Sequence, residues 1–165
     1  MTSLPPSLPA LWTRSTTTPD ELRRTDGVAL ICGDRHASRE LLSLVGDALS
    51  ATPTSVTELA LVGNAVASAG ELLERLSGQP LLFDLETLCW SPWLRLDPLR
   101  LLRQLARQHG VVAVWPGDVT GRTASFSAPG RRDHVSAHAG GIIVMRPIAS
   151  KFPDEAPFTV ERIPT

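Results

Sequence analysis

Apolar residues along this chain fall into two alternating patterns. Short unbroken runs, "GVALICG" (27–33) and "VVAVWPG" (111–117), read as strands covered on both faces. "TSVTELALVG" (54–63), "QPLLFDLE" (79–86) and "GIIVMR" (141–146) read as further strands. Between them lie stretches with helical spacing. Leu41, Leu42, Val45, Ala48 and Leu49 form one stripe, predicting a helix over 38–50. Ser68 and Glu71 form a capping box ahead of Leu72, Leu73 and Leu76, and Gly78 stops that helix. "LDPLRLLRQLARQHG" is the clearest helix: Asp97 caps it, Pro98 opens it, and Leu99, Leu102, Leu105 and Ala106 point inward.

The ends of the chain are less regular. Residues 1–17 are rich in Pro, Ser and Thr and read as an irregular arm, with Trp12 available to pin it. Thr18, Pro19 and Glu21 mark a short helix before the first strand. A polar loop spans 117–140, with "ASFS" as a short strand inside it, and the tail is irregular or holds one edge strand.

Strands alternating with helices imply parallel βαβ units. The expected fold is α/β: one three-layer domain over 18–165, with a mostly parallel sheet of about five strands. Ligands in such folds sit beyond the carboxyl ends of the strands. Three features fall there: Gly33 to Glu40, Asp84 to Glu86, and Trp115 to Gly117.

Composition narrows the picture. At 165 residues the chain is long enough for a core without disulfides or metals. The formal net charge is -1, so there is no global pull toward nucleic acid or membrane. Cys32 and Cys89 lie far apart and suggest neither a disulfide framework nor a zinc cluster. No apolar run approaches the roughly 18 residues of a membrane span, and the N-terminus has no basic leader, so the expected compartment is the cytoplasm.

The strand-turn-helix at 29–49 has the context of a phosphate-binding loop, G-x-x-x-x-G-K-[ST]. Gly33 occupies the first position, and Asp34, Arg35, His36 and Ala37 the variable ones. Ser38, Arg39 and Glu40 then stand where Gly, Lys and Ser/Thr belong. Arg39 keeps a positive charge in a larger planar group. Glu40 replaces the hydroxyl that would coordinate magnesium. Like charges about 4 Å apart repel by roughly 4 kcal/mol at an effective dielectric of about 20. The helix start and its free amides remain an anion site in principle.

"LLFDLE" resembles a Walker B strand, with Asp84 as the magnesium acid and Glu86 near the attacking water. On a strand, Asp84 and Glu86 would share a face, and with Glu40 they would crowd three carboxylates into one pocket. Other candidates read as ordinary surface or core. His134 and His138 have ligand spacing without a third partner, Trp90 and Trp93 suit a partner contact, and Trp115 suits the core or a site lining.

"LLFDLE", "LRLDPLRLL", "VVAVWPG" and "SFSAPG", in that order and spacing, resemble the BrxF family of small P-loop proteins from type-three BREX phage-defence systems. With the strand-loop-helix at 27–50, the resemblance runs from about residue 18 to about residue 146. It implies a bacterial defence component encoded beside a large ATPase, a methyltransferase and a PglZ-type protein. It also implies a P-loop NTPase-like fold in which Gly33 matches the first loop glycine and Asp84 the acidic strand end. The departures at Ser38, Arg39 and Glu40 point to a member with weak or lost nucleotide binding that works through partner proteins. Two alternatives accompany that reading. One is an active Mg-dependent ATPase using Arg39, Asp84 and Glu86. The other is a nucleic-acid adaptor using Arg35, Arg39, Arg131 and Arg132.

Overall fold

The computed structural model describes residues 27–62, 65–66, 68–86, 97–107, 110–126, 135–147 and 158–164. The N-terminal arm and the helix expected after Thr18 lie outside these residues, as do Trp12, Cys89, Trp90, Trp93, Arg131, Arg132 and His134.

The fold is α/β, built on a six-stranded sheet in the order β11-β10-β1-β6-β5-β2. Its strands are β1 (Val28–Ile31), β2 (Thr54–Ser55), β5 (Leu81–Phe83), β6 (Val111–Val114), β10 (Ile143–Pro147) and β11 (Phe158–Arg162). All neighbours pair in parallel except β11, which runs antiparallel to β10 at the edge. Of the two readings offered for the tail, irregular or one edge strand, the strand is the one present. Two small antiparallel sheets accompany the main one: β3 (Leu61–Val62) with β4 (Ala65–Val66), and a meander of β7 (Asp118–Thr120), β8 (Thr123–Phe126) and β9 (Val135–His138).

The helices are α1 (Arg35–Leu49), α2 (Val56–Ala60), α3 (Ala69–Leu76) and α4 (Pro98–Ala106). From β1 the chain crosses β6 and β5 to reach β2, then walks back through β5 and β6 to β10. Connections of one hand that travel in opposite directions must cover opposite faces. On one face, α1 packs Leu41, Leu42 and Val45 against Ala29, Ile31, Val112 and Ile143. On the other, Val28, Leu30 and Cys32 meet α2, α3, α4 and the inner residues of the meander. Alternate β1 side chains thus feed two cores, which is why its sequence shows no polar alternation.

Local capping explains the helix boundaries. Asp97 accepts hydrogen bonds from the amides of Leu99 and Arg100, and Pro98 opens α4, as expected. Ser68 accepts from the Glu71 amide at the start of α3. The strand expected over 54–63 is corrected to two residues of strand, a one-turn helix and the β3–β4 hairpin. The cause is a second capping signal: Ser55 and Glu58 are three apart, and Ser55 Oγ accepts from the Glu58 amide at 3.3 Å. "ASFS" does contain strand, but the polar loop around it folds into the full meander.

Cys32, at the end of β1, is fully buried. Burial pushes its thiol up from 9.0 to about 12, against a smaller opposing pull from Arg146. It behaves as a small apolar core residue.

Candidate functional site

The connections leaving β1 and β6 depart on opposite faces of the sheet, so the topological switch point lies between these adjacent strands. A ligand crevice in such a fold opens beyond their carboxyl ends. The residues arriving there are Gly33 after β1 and Trp115, Pro116 and Gly117 after β6.

The turn after β1 is short. Gly33 adopts φ +143, a conformation that disfavours side chains, and a Cβ there would stand 3.3 Å from Pro147 Cδ. The helix expected from residue 38 begins instead at Arg35. Arg35 to Glu40 therefore form the opening turns of α1, not a loop. The cause is Asp34, whose carboxylate accepts from the Ala37 amide at 3.0 Å and caps the helix three residues early. The Ser38 amide bonds to the Asp34 carbonyl at 2.8 Å. The helix start thus already holds a carboxylate of its own, placed where an external anion would meet the helix dipole.

Ser38 is the unusual member of this turn. It is buried, and its Oγ has no hydrogen-bond partner among the described residues. It lies 3.9 Å from where a Gly33 Cβ would sit. An unpartnered buried hydroxyl carries a desolvation cost of about 1–3 kcal/mol. Ser38→Ala is therefore expected to raise stability by about 1 kcal/mol, read as a higher urea midpoint. A loss of stability would show that the hydroxyl has a partner.

Asp84 lies one residue beyond β5 and adopts φ +58, a left-handed conformation that costs an ordinary residue about 1–2 kcal/mol. Three elements converge on it. Ser55 Oγ donates to its Oδ2 at 2.8 Å, and Thr57 Oγ1 donates to its carbonyl at 3.1 Å. From α1, Arg35 and Arg39 approach its Oδ1 at 3.8 and 3.7 Å. Arg39 also stacks over the Phe83 ring, 3.8 Å from its centroid. Both arginines are substantially exposed, so each ion pair contributes only about 0–1 kcal/mol. The structure thus brings Arg35, Arg39 and Asp84 together. The sequence missed Ser55 and Thr57, although Ser55-x-x-Glu58 was a readable signal.

The remaining candidates point elsewhere. Glu40 pairs with His36 at 3.0 Å along the exposed side of α1. Because β5 ends at Phe83, Asp84 and Glu86 do not share a strand face. Among the described residues no three His, Cys, Asp or Glu side chains come together to hold a metal. The crowded trio of Glu40, Asp84 and Glu86 does not form. This donor set fits a magnesium nucleotide poorly: its one central acid is shared by a serine and two arginines.

Across the crevice, Trp115 is buried and its amide donates to the Ile31 carbonyl at 2.9 Å. Its indole Nε1 donates to the Ser125 carbonyl at 3.1 Å. Gly117 packs against the backbone of Ser125 and Phe126. Arg146, just past the buried part of β10, donates to the Val119 carbonyl at 2.8 Å. These contacts seat the β7–β8 hairpin beside the switch point.

No protein-family model, curated protein or solved structure matches this chain. No helix among the described residues is long and apolar enough to cross a membrane.

Proposed function

We propose that this chain is a P-loop-like α/β protein of the BrxF kind, with a degenerate phosphate loop, serving a BREX-type phage-defence complex in the bacterial cytoplasm. It acts through contact with partner proteins, and its nucleotide binding is weak or lost. The observation that carries this reading is the turn after β1. Only Gly33 and Asp34 separate Cys32 from α1, and Asp34 spends its carboxylate on the helix amides. A triphosphate would meet that carboxylate where a phosphate loop offers backbone donors. Asp84, the acid that would serve magnesium, is instead held by Ser55 and flanked by Arg35 and Arg39.

Titration calorimetry of the purified chain with Mg-ATP tests the reading. No saturable heat is expected up to millimolar nucleotide. A micromolar dissociation constant would overturn it and favour the ATPase that uses Arg39, Asp84 and Glu86. The partner side is tested by pull-down from the native host. Recovery of the large ATPase, the methyltransferase or the PglZ-type protein is the expected result.

A further inference from the structure

The strongest segregation of charge in the described fold lies away from the switch point. On α4 and its C-cap, Arg100, Arg103 and Arg107 recur every three to four residues and, the cap being helical in backbone, share a side of the helix, opposite buried Leu99, Leu102 and Leu105. Arg103 reaches sideways from this row. Its Nη2 donates to the His138 carbonyl at 3.1 Å and the Gly140 carbonyl at 3.0 Å, tying α4 to the end of β9. The Ala139 amide donates to the Arg122 carbonyl at 2.8 Å, which brings the β7–β8 turn to the same place. Arg100, Arg107, Arg122 and His138 are exposed, and the first three form no ion pair among the described residues. Among the described residues two acids flank the group: Asp97 at the start of α4, and Asp118 on β7, the meander strand farthest from α4 in sheet order.

The chemistry around these cations selects a partner. Thr120 pairs with Thr123 and Thr123 with His138, and Ser125 pairs with Ser136, so this side of the meander is a row of hydroxyls beside an imidazole, with Asp118 opposite Ser125 at its far edge. Its other side carries buried Ala124 and Ala137. No large apolar residue is exposed here: Leu44, the one such residue among the described residues, is on α1, across the main sheet. A protein interface needs an apolar or aromatic centre. Single strands need aromatic platforms for stacking. Among the described residues neither is present on this surface, whereas arginine forks and hydroxyls are the groups that contact phosphate oxygens. Lys151 is the single lysine among the 16 basic residues, so the cations on this surface are of the bidentate kind.

We propose that α4 and the meander form a docking surface for the phosphodiester backbone of double-stranded nucleic acid, engaged without reading its bases. This goes beyond the partner-protein reading and does not depend on it. It also uses residues distinct from those of the switch point. Arg100 and Arg107 are two helical turns apart, about 10 Å, so they engage separate phosphates.

Fluorescence anisotropy of a labelled mixed-sequence 30-base-pair DNA duplex, titrated with the purified chain at several salt concentrations, tests this. Binding is expected at low salt, with log K falling against log salt by about 0.9 for each phosphate contacted, so a slope near −3. The Arg100→Ala/Arg107→Ala double variant is expected to lose about two units of that slope and at least tenfold in affinity. Arg162→Ala, on edge strand β11, is expected to leave both unchanged. Circular dichroism verifies folding of each variant. Three results would overturn the proposal: no retention of duplex at low salt, an unchanged slope in the double variant, or tighter binding to a single strand of equal length. Equal competition by polyglutamate would reassign the surface to an acidic protein.

Discussion

Gly117→Ala is expected to cost at least about 3 kcal/mol of stability, and in most expression conditions to yield insoluble protein. An alanine Cβ at this position would overlap the Ser125 carbonyl oxygen, lie 2.8 Å from the carbonyl carbon and sit 3.0 Å from Phe126 Cα. All three are backbone atoms, so no side-chain rotation relieves the overlap. They also belong to β8, which is fixed on both sides by pairing with β7 and β9. Moving Ser125 away would also strip the Trp115 indole of its acceptor. Urea denaturation followed by circular dichroism reads the effect, with Gly70→Ala as the reference. An alanine at Gly70 meets nothing within 4 Å, and its midpoint should be equal to or slightly above that of the parent. A parental midpoint for Gly117→Ala would refute the seating of the hairpin.

Trp115→Ala is the second large effect, about 3–5 kcal/mol. The side chain is 2% exposed and sits in the core that joins β1, β6 and the meander. Its removal opens a void at the switch point and leaves the Ser125 carbonyl without its indole donor. Trp115→Phe separates the two contributions. It keeps most of the ring volume, loses the hydrogen bond, and is expected to cost about 1–3 kcal/mol. Denaturant midpoints for the two variants should therefore fall in order, alanine well below phenylalanine. Equal costs would mean that the hydrogen bond, and not the packing, holds the hairpin.

These two residues show what a chain can and cannot disclose. "VVAVWPG" marked a strand end and a large side chain, and both are present. The need for glycine at 117 was invisible, because it arises from β8 crossing at close range. α4 was legible in detail because Asp97, Pro98 and the leucine stripe all specify the same structure. Leu101 and Pro98, also buried, were absent from the anticipated inner face. "TSVTELAL" misled because its β-branched residues outweighed Ser55 and Glu58, whose hydrogen bond starts a helix inside the expected strand. The meander did alternate in sequence, with Val119, Ala124 and Ala137 turned inward between polar neighbours. Alanine gives so little hydrophobic contrast that the period was lost. At the candidate site, motif spacing suggested a loop with four variable residues, Asp34 to Ala37, after Gly33. Asp34 is a stronger local determinant than that spacing, and it starts the helix at once.

The order of strands also bears on synthesis. β1 lies between β6 and β10, and neither neighbour exists when β1 leaves the ribosome. Its nearer neighbour in sequence, β6, ends about 80 residues later. At a translation rate of roughly 5–20 residues per second, the "VALI" strand waits about 4–16 s with both ladder edges open. During that interval a holding chaperone has more to protect in this short segment than in the described helices, whose backbone bonds close locally.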